Sequence, residues 1–118
     1  MASANLEYKP IDASCNPYLA FGGLIAAGTD GIERGLDPPA PLTVDPHRLS
    51  PEERDAIGVA PYPATVGHAL DALEQDEVLT NALGATLTTA YLAVRRSEWE
   101  ADPGTDDARE RARHFVKY

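Results

Sequence analysis

NPYLAFGGLIAAGTDGIERG, residues 16–35, reads as one apolar helix with a marked start and a marked stop. Asn16 is a strong N-cap, because its side-chain oxygen accepts from first-turn N–H groups that lack an intrahelical partner. Pro17 suits the first helical position, where a missing N–H costs nothing. Tyr18, Phe21, Ile25, Gly28 and Ile32 fall on one face at helical spacing, and Leu24 adjoins them. Gly35 supplies the C-terminal stop. Gly22, Gly23 and Gly28 weaken an isolated helix by about 1 kcal/mol each, so their presence in an apolar run suggests close approach of neighbouring elements. No charge occurs from Ala13 to Thr29. That run is shorter than the roughly 20 residues of a membrane span and contains Ser14, Asn16, Pro17 and three glycines. The spacing therefore predicts a buried helix over 16–34, not a membrane helix.

On its N-terminal side, residues 5–9 (NLEYK) alternate, with Leu6 and Tyr8 on one face and Glu7 and Lys9 on the other. They predict a short strand ended by Pro10, then a turn over Asp12 to Cys15. On its C-terminal side, Pro38, Pro39, Pro41, Pro46, Pro61 and Pro63 make residues 37–63 an extended connector, since proline fixes its own φ and biases the residue before it away from helix. One short helix interrupts it. Ser50-Pro51-Glu52-Glu53 carries a serine cap, proline at the first position and acids in the first turn, and Gly58 ends the helix. Residues 65–101 predict further helices. Thr65 caps the first, with Val66, Ala69, Leu70 and Leu73 on its apolar side. Asp76 opens the second, and Gly84 is a pause. The last, about 85–101, shows a row of Leu87, Tyr91, Val94 and Glu98 flanked by Ala90 and Trp99, with Arg95, Arg96, Glu98 and Glu100 assigned to solvent. The densely charged stretch 105–117 predicts an exposed tail helix.

The expected fold is therefore mainly α: one short N-terminal strand followed by about five helices. A lone strand leaves its N–H and C=O groups without a partner. Either it pairs with another chain or residues 1–12 are disordered.

Composition limits the function. The 118 residues amount to at most one small domain, with 19 acidic and 10 basic side chains and a formal net charge of -9. An acidic surface without a basic stripe argues against nucleic acid and against an anionic membrane as partners. Cys15 is the one cysteine, which excludes an internal disulfide framework and reads as a small half-buried residue. The start, MASANLEYKP, has neither a basic segment nor an apolar core of signal-peptide type, so the expected location is cytoplasmic.

No Gly-rich phosphate loop and no dinucleotide fingerprint occurs. His47, His68 and His114 are scattered outside any metal-ligand spacing and read as surface histidines. Glu52-Glu53 and Asp106-Asp107 sit at helix starts, where the helix dipole already accounts for them. What remains is Glu7-x-Lys9. Two opposite charges two apart on a strand share a face and can aim at one site. The carboxylate suits a hard cation, and the ammonium suits a substrate carboxylate or phosphate. Surface strands often carry this pair, so by itself it is a weak signal.

The motif around it is more specific. Glu7, Lys9, Asp12, Asn16-Pro17-Tyr18-Leu19-Ala20 and Ala27-Gly28-Thr29-Asp30-Gly31-Ile32 follow in order. The later stretches Ala69 to Asp76 and Ala90 to Glu100 fit the same pattern. Together they resemble the C-terminal catalytic segment of the glutamine synthetase superfamily, over essentially the whole chain to about residue 101. The resemblance implies a fragment of that family's α+β catalytic domain. It implies an ATP-dependent ligase joining glutamate or a related acid to ammonia or an amine, with Mg²⁺ or Mn²⁺ and ATP as cofactors of the complete enzyme. By the same motif, Glu7 matches a metal-ligand carboxylate and Lys9 matches the basic residue, commonly arginine, that contacts acyl substrate or phosphate. Lysine binds there as a point charge, without arginine's two-pronged geometry. Thr29 stands where the family tends to carry leucine, and the part after Pro103 matches least.

Family members run to several hundred residues, and the remaining metal ligands and ATP-contacting segments lie N-terminal to this region. The chain alone is therefore expected to bind no cofactor tightly and to show no ligase activity. Three roles follow. It is a ligase part completed by the missing N-terminal portion, or a non-catalytic helical module docking on a full-length synthetase subunit or on itself, or a decayed gene fragment.

Overall fold

In a computed structural model the protein is described over residues 5–12, 14–102, 108, 111 and 112. Among the described residues five α-helices are delimited: α1 (Pro17–Glu33), α2 (Pro51–Ala56), α3 (Val66–Gln75), α4 (Glu77–Leu83) and α5 (Ala85–Ala101). A single 3₁₀ turn at Pro46–Arg48 precedes α2. The chain divides into two compact units, Met1–Leu36 and Asp37–Tyr118.

Local chemistry sets the helix ends. Asn16 Oδ1 accepts from the N–H groups of Tyr18 (3.0 Å) and Leu19 (3.4 Å) and opens α1. Its far end closes on Gly35, whose φ of +61° is open to glycine without a Cβ penalty. There Leu36 N–H donates to Gly31 C=O (2.9 Å) and Gly35 N–H to Ile32 C=O (3.1 Å), which satisfies two carbonyls the helix end would leave free. Helix α2 carries a reciprocal cap. Glu53 N–H donates to Ser50 Oγ (3.2 Å), while Ser50 N–H donates to Glu53 Oε2 (2.8 Å). Thr65 and Asp76 cap α3 and α4, accepting from His68 N–H (3.1 Å) and Leu79 N–H (3.0 Å). Each such cap contributes about 1 kcal/mol. Gly84 separates α4 from α5 with φ 76° and ψ 155°, a backbone region essentially reserved for glycine.

In the second unit α3, α4 and α5 pack against one another. Leu70 of α3 (4% exposed) and Leu92 of α5 (9%) form the buried core. Half-buried Leu73, Leu79, Leu83, Tyr91 and Trp99 surround them.

Four expectations are corrected. Among the described residues there is no strand. Residues 5–8 are irregular, and the chain turns at once, with Ile11 N–H donating to Tyr8 C=O (3.3 Å). Alternation is a statement about faces, and among the described residues no second strand pairs with this segment to receive ladder hydrogen bonds. Helix α1 forms over the expected span but is not buried: none of its residues is, and Tyr18, Phe21, Ile25 and Ile32 are 63–86% exposed. A single helix cannot bury its own apolar face. On α5 the inward position is Leu92, whereas Leu87 and Val94 of the expected row are 42% and 57% exposed. The α5 face that meets α3 combines Leu92 with Trp99, while Tyr91 of the expected row is half-buried. Finally, Arg96 and Glu98 are engaged in ion pairs and not simply solvated. The expected tail helix over 105–117 lies largely outside the described residues, of which Ala108, Arg111 and Ala112 are helical.

Candidate functional site

Glu7 and Lys9 lie in the irregular segment that leads into α1. Lys9 Nζ donates to Glu7 Oε1 at 2.5 Å, and both side chains are exposed, 79% for Lys9 and 68% for Glu7. They meet across an irregular stretch and a turn, not on the face of the expected strand. From Lys9 onward a chain of side-chain-anchored turns ties the pair to the helix. Asp12 Oδ1 accepts from Ser14 N–H (2.8 Å) and from the Ser14 hydroxyl (2.9 Å). Cys15 N–H donates to Asp12 C=O (3.1 Å), and Asn16 then caps α1. Asp and Asn hold such turns because their short side chains reach backbone N–H groups two residues on. The sequence Asp12-x-x-x-Asn16 thus shapes the turn that leads from the charged pair into α1.

The chemistry available here is limited. A cation such as Mg²⁺ takes about six oxygen ligands in near-octahedral geometry. Glu7 offers one carboxylate, and it is already paired with Lys9. Among the described residues no three His, Cys, Asp or Glu side chains come together in a way that could hold a metal ion. The residues present therefore do not by themselves fit a divalent metal. A positive charge and a carboxylate at the mouth of a rigid turn can contribute to a site; they do not complete one.

The other candidates resolve into structure. His47 and His68 are exposed, and His114 lies outside the described residues. Cys15 is a half-buried free thiol. Glu53 belongs to the cap of α2, and its neighbour Glu52 is held below the usual carboxylate value of 4.5 by its own backbone N–H and, second, by the Ser50 hydroxyl. Asp106-Asp107 lie outside the described residues.

One cluster was not singled out in the sequence. Arg96 Nη2 of α5 reaches both Asp71 Oδ1 (2.8 Å) and Glu74 Oε2 (2.6 Å) of α3. The acids raise the guanidinium pKa, Asp71 most strongly, and partial desolvation opposes them. Acids three apart share a helix face, which was the available signal. The missing information was that α5 returns alongside α3. The cluster clamps two helices and has no reacting group.

The sequence model of the glutamine synthetase catalytic domain matches residues 1–113. The chain belongs to the glutamine synthetase catalytic-domain family. It is 42% identical to the gamma-glutamylpolyamine synthetase of Streptomyces coelicolor over 116 residues, which is 98% of this chain and 25% of that protein. It is 40% identical over 98 residues to the glutamine synthetase of Methanocaldococcus jannaschii, covering 83% of this chain and 22% of the relative. The glutamine synthetase of Thermus thermophilus is 40% identical over 94 residues, 80% of this chain and 21% of its own length. The chain thus spans a quarter or less of the length of these relatives. No helix of the described residues is long and apolar enough to cross a membrane.

Proposed function

We propose that these residues are the C-terminal part of the catalytic domain of an ATP-dependent ligase that forms a γ-glutamyl amide from glutamate or a related acid and ammonia or an amine. The observation that carries this is the family match over residues 1–113, which takes in Glu7-x-Lys9 together with the Asn16-Pro17-Tyr18-Leu19-Ala20 helix start. The nitrogen donor spans ammonia and amines because the relatives include glutamine synthetases and a gamma-glutamylpolyamine synthetase.

In this role Glu7 contributes one oxygen ligand to a divalent cation whose other ligands lie outside the described residues. Lys9 faces the acyl substrate or the transferring phosphate as a point charge. When bound, Mg²⁺ or Mn²⁺ neutralises phosphate charge on ATP during phosphoryl transfer. For this the Glu7–Lys9 ion pair has to open, the carboxylate turning to the cation and the ammonium to the anionic substrate. Two charged side chains do not make a site for ATP, metal and acid together. The 118 residues alone are therefore inactive.

The test is an assay of the purified 118-residue protein with ATP, Mg²⁺ or Mn²⁺, glutamate and ammonia or a polyamine. No turnover is expected. Co-expression with a polypeptide supplying the rest of the family domain should restore metal-dependent ATP turnover, and Glu7→Ala should remove it. Turnover by the 118 residues alone overturns the proposal. An active complex indifferent to Glu7→Ala removes the role given to Glu7.

A further inference from the structure

We draw no further inference here: the strongest candidate, the exposed apolar face of α1 formed by Tyr18, Phe21, Ile25 and Ile32, carries nothing because nothing in the structure shows what covers it.

Discussion

Gly67 of α3 lies against the indole of Trp99 on α5 so closely that a Cβ added to the glycine would stand 2.8 Å from Nε1 and 3.2 Å from Cε2. Real Cβ atoms do not approach that near, so the two helices meet at this height because position 67 has no side chain. Gly67→Ala should therefore push the indole aside. Alanine has the better helix propensity, by about 1 kcal/mol in a helix interior. Position 67 is in the first turn, where that gain is smaller, and overpacking costs about 1–3 kcal/mol. The expected net effect is a loss of about 1 kcal/mol. Trp99 is the only tryptophan, so its fluorescence reads the site directly. An emission maximum shifted to the red with a lower Tm is expected; an unchanged spectrum and Tm would show that the ring has room to yield.

The face of α5 that matters can be checked by two substitutions. Leu92→Ala removes one of the two leucines buried among the described residues and should cost about 2–5 kcal/mol. Whole small domains are stable by only about 5–15 kcal/mol, so much of the second unit's cooperativity should go with it. Val94→Ala, at a position 57% exposed, should stay within about 0.5 kcal/mol of wild type. Urea titrations followed by circular dichroism compare the two. If Val94→Ala were the more damaging, the row including Leu87 and Val94 would be the true inner face.

These two residues also show what the sequence could reveal. Caps were legible because they are local. Asn16-Pro17, Ser50-Pro51, Thr65, Asp76 and Gly84 each act within a turn of themselves, and each stands where the residue type indicates. The choice between Leu92 and Val94 was not local. Both are apolar, they lie two apart, and only the return of α5 alongside α3 decides which is covered. The same holds for residues 5–9 and for α1. Alternation and apolar spacing say which face wants a partner, and nothing in the residues supplies one. The candidate site was legible to the same degree. Glu7 and Lys9 pair, though not on the strand their alternation predicted, and a metal or substrate site needs groups from distant segments, which local chemistry cannot announce.

Acid should weaken the first turn of α2. The Glu52 carboxyl is held below its ordinary value of 4.5, first by its own backbone N–H and then by the Ser50 hydroxyl. A carboxyl depressed in the folded state stabilises that state above the unfolded value, and the contribution is lost as pH falls through the folded one. At neutral pH Glu52→Gln should therefore fray α2 relative to wild type. As pH drops below about 4.5 the difference should shrink, and it should vanish once wild-type Glu52 is protonated. Amide chemical shifts of residues 52–54, followed in both proteins against pH, measure this. Parallel titration curves would show that the carboxylate adds nothing to the cap.

Lys9 separates structural from functional roles most cleanly. Its ion pair with Glu7 is exposed on both sides, and exposed pairs contribute little once side-chain ordering and screening are counted. Lys9→Met, Lys9→Arg and Glu7→Gln should all leave Tm unchanged, with stability within about 0.5 kcal/mol of wild type. Their effects should appear only in a reconstituted ligase. There Lys9→Met removes the charge proposed to meet the acyl group or phosphate, and turnover should fall sharply. Lys9→Arg keeps the charge and adds a planar fork that grips a carboxylate or phosphate with two hydrogen bonds. It should remain active, with a lower KM for the acid and a smaller change in kcat. If Lys9→Met were as active as wild type, the ammonium would have no part in the reaction. If Lys9→Arg were as inactive as Lys9→Met, the site would demand lysine's compact charge, and the family's arginine would be no guide to this chain's substrate.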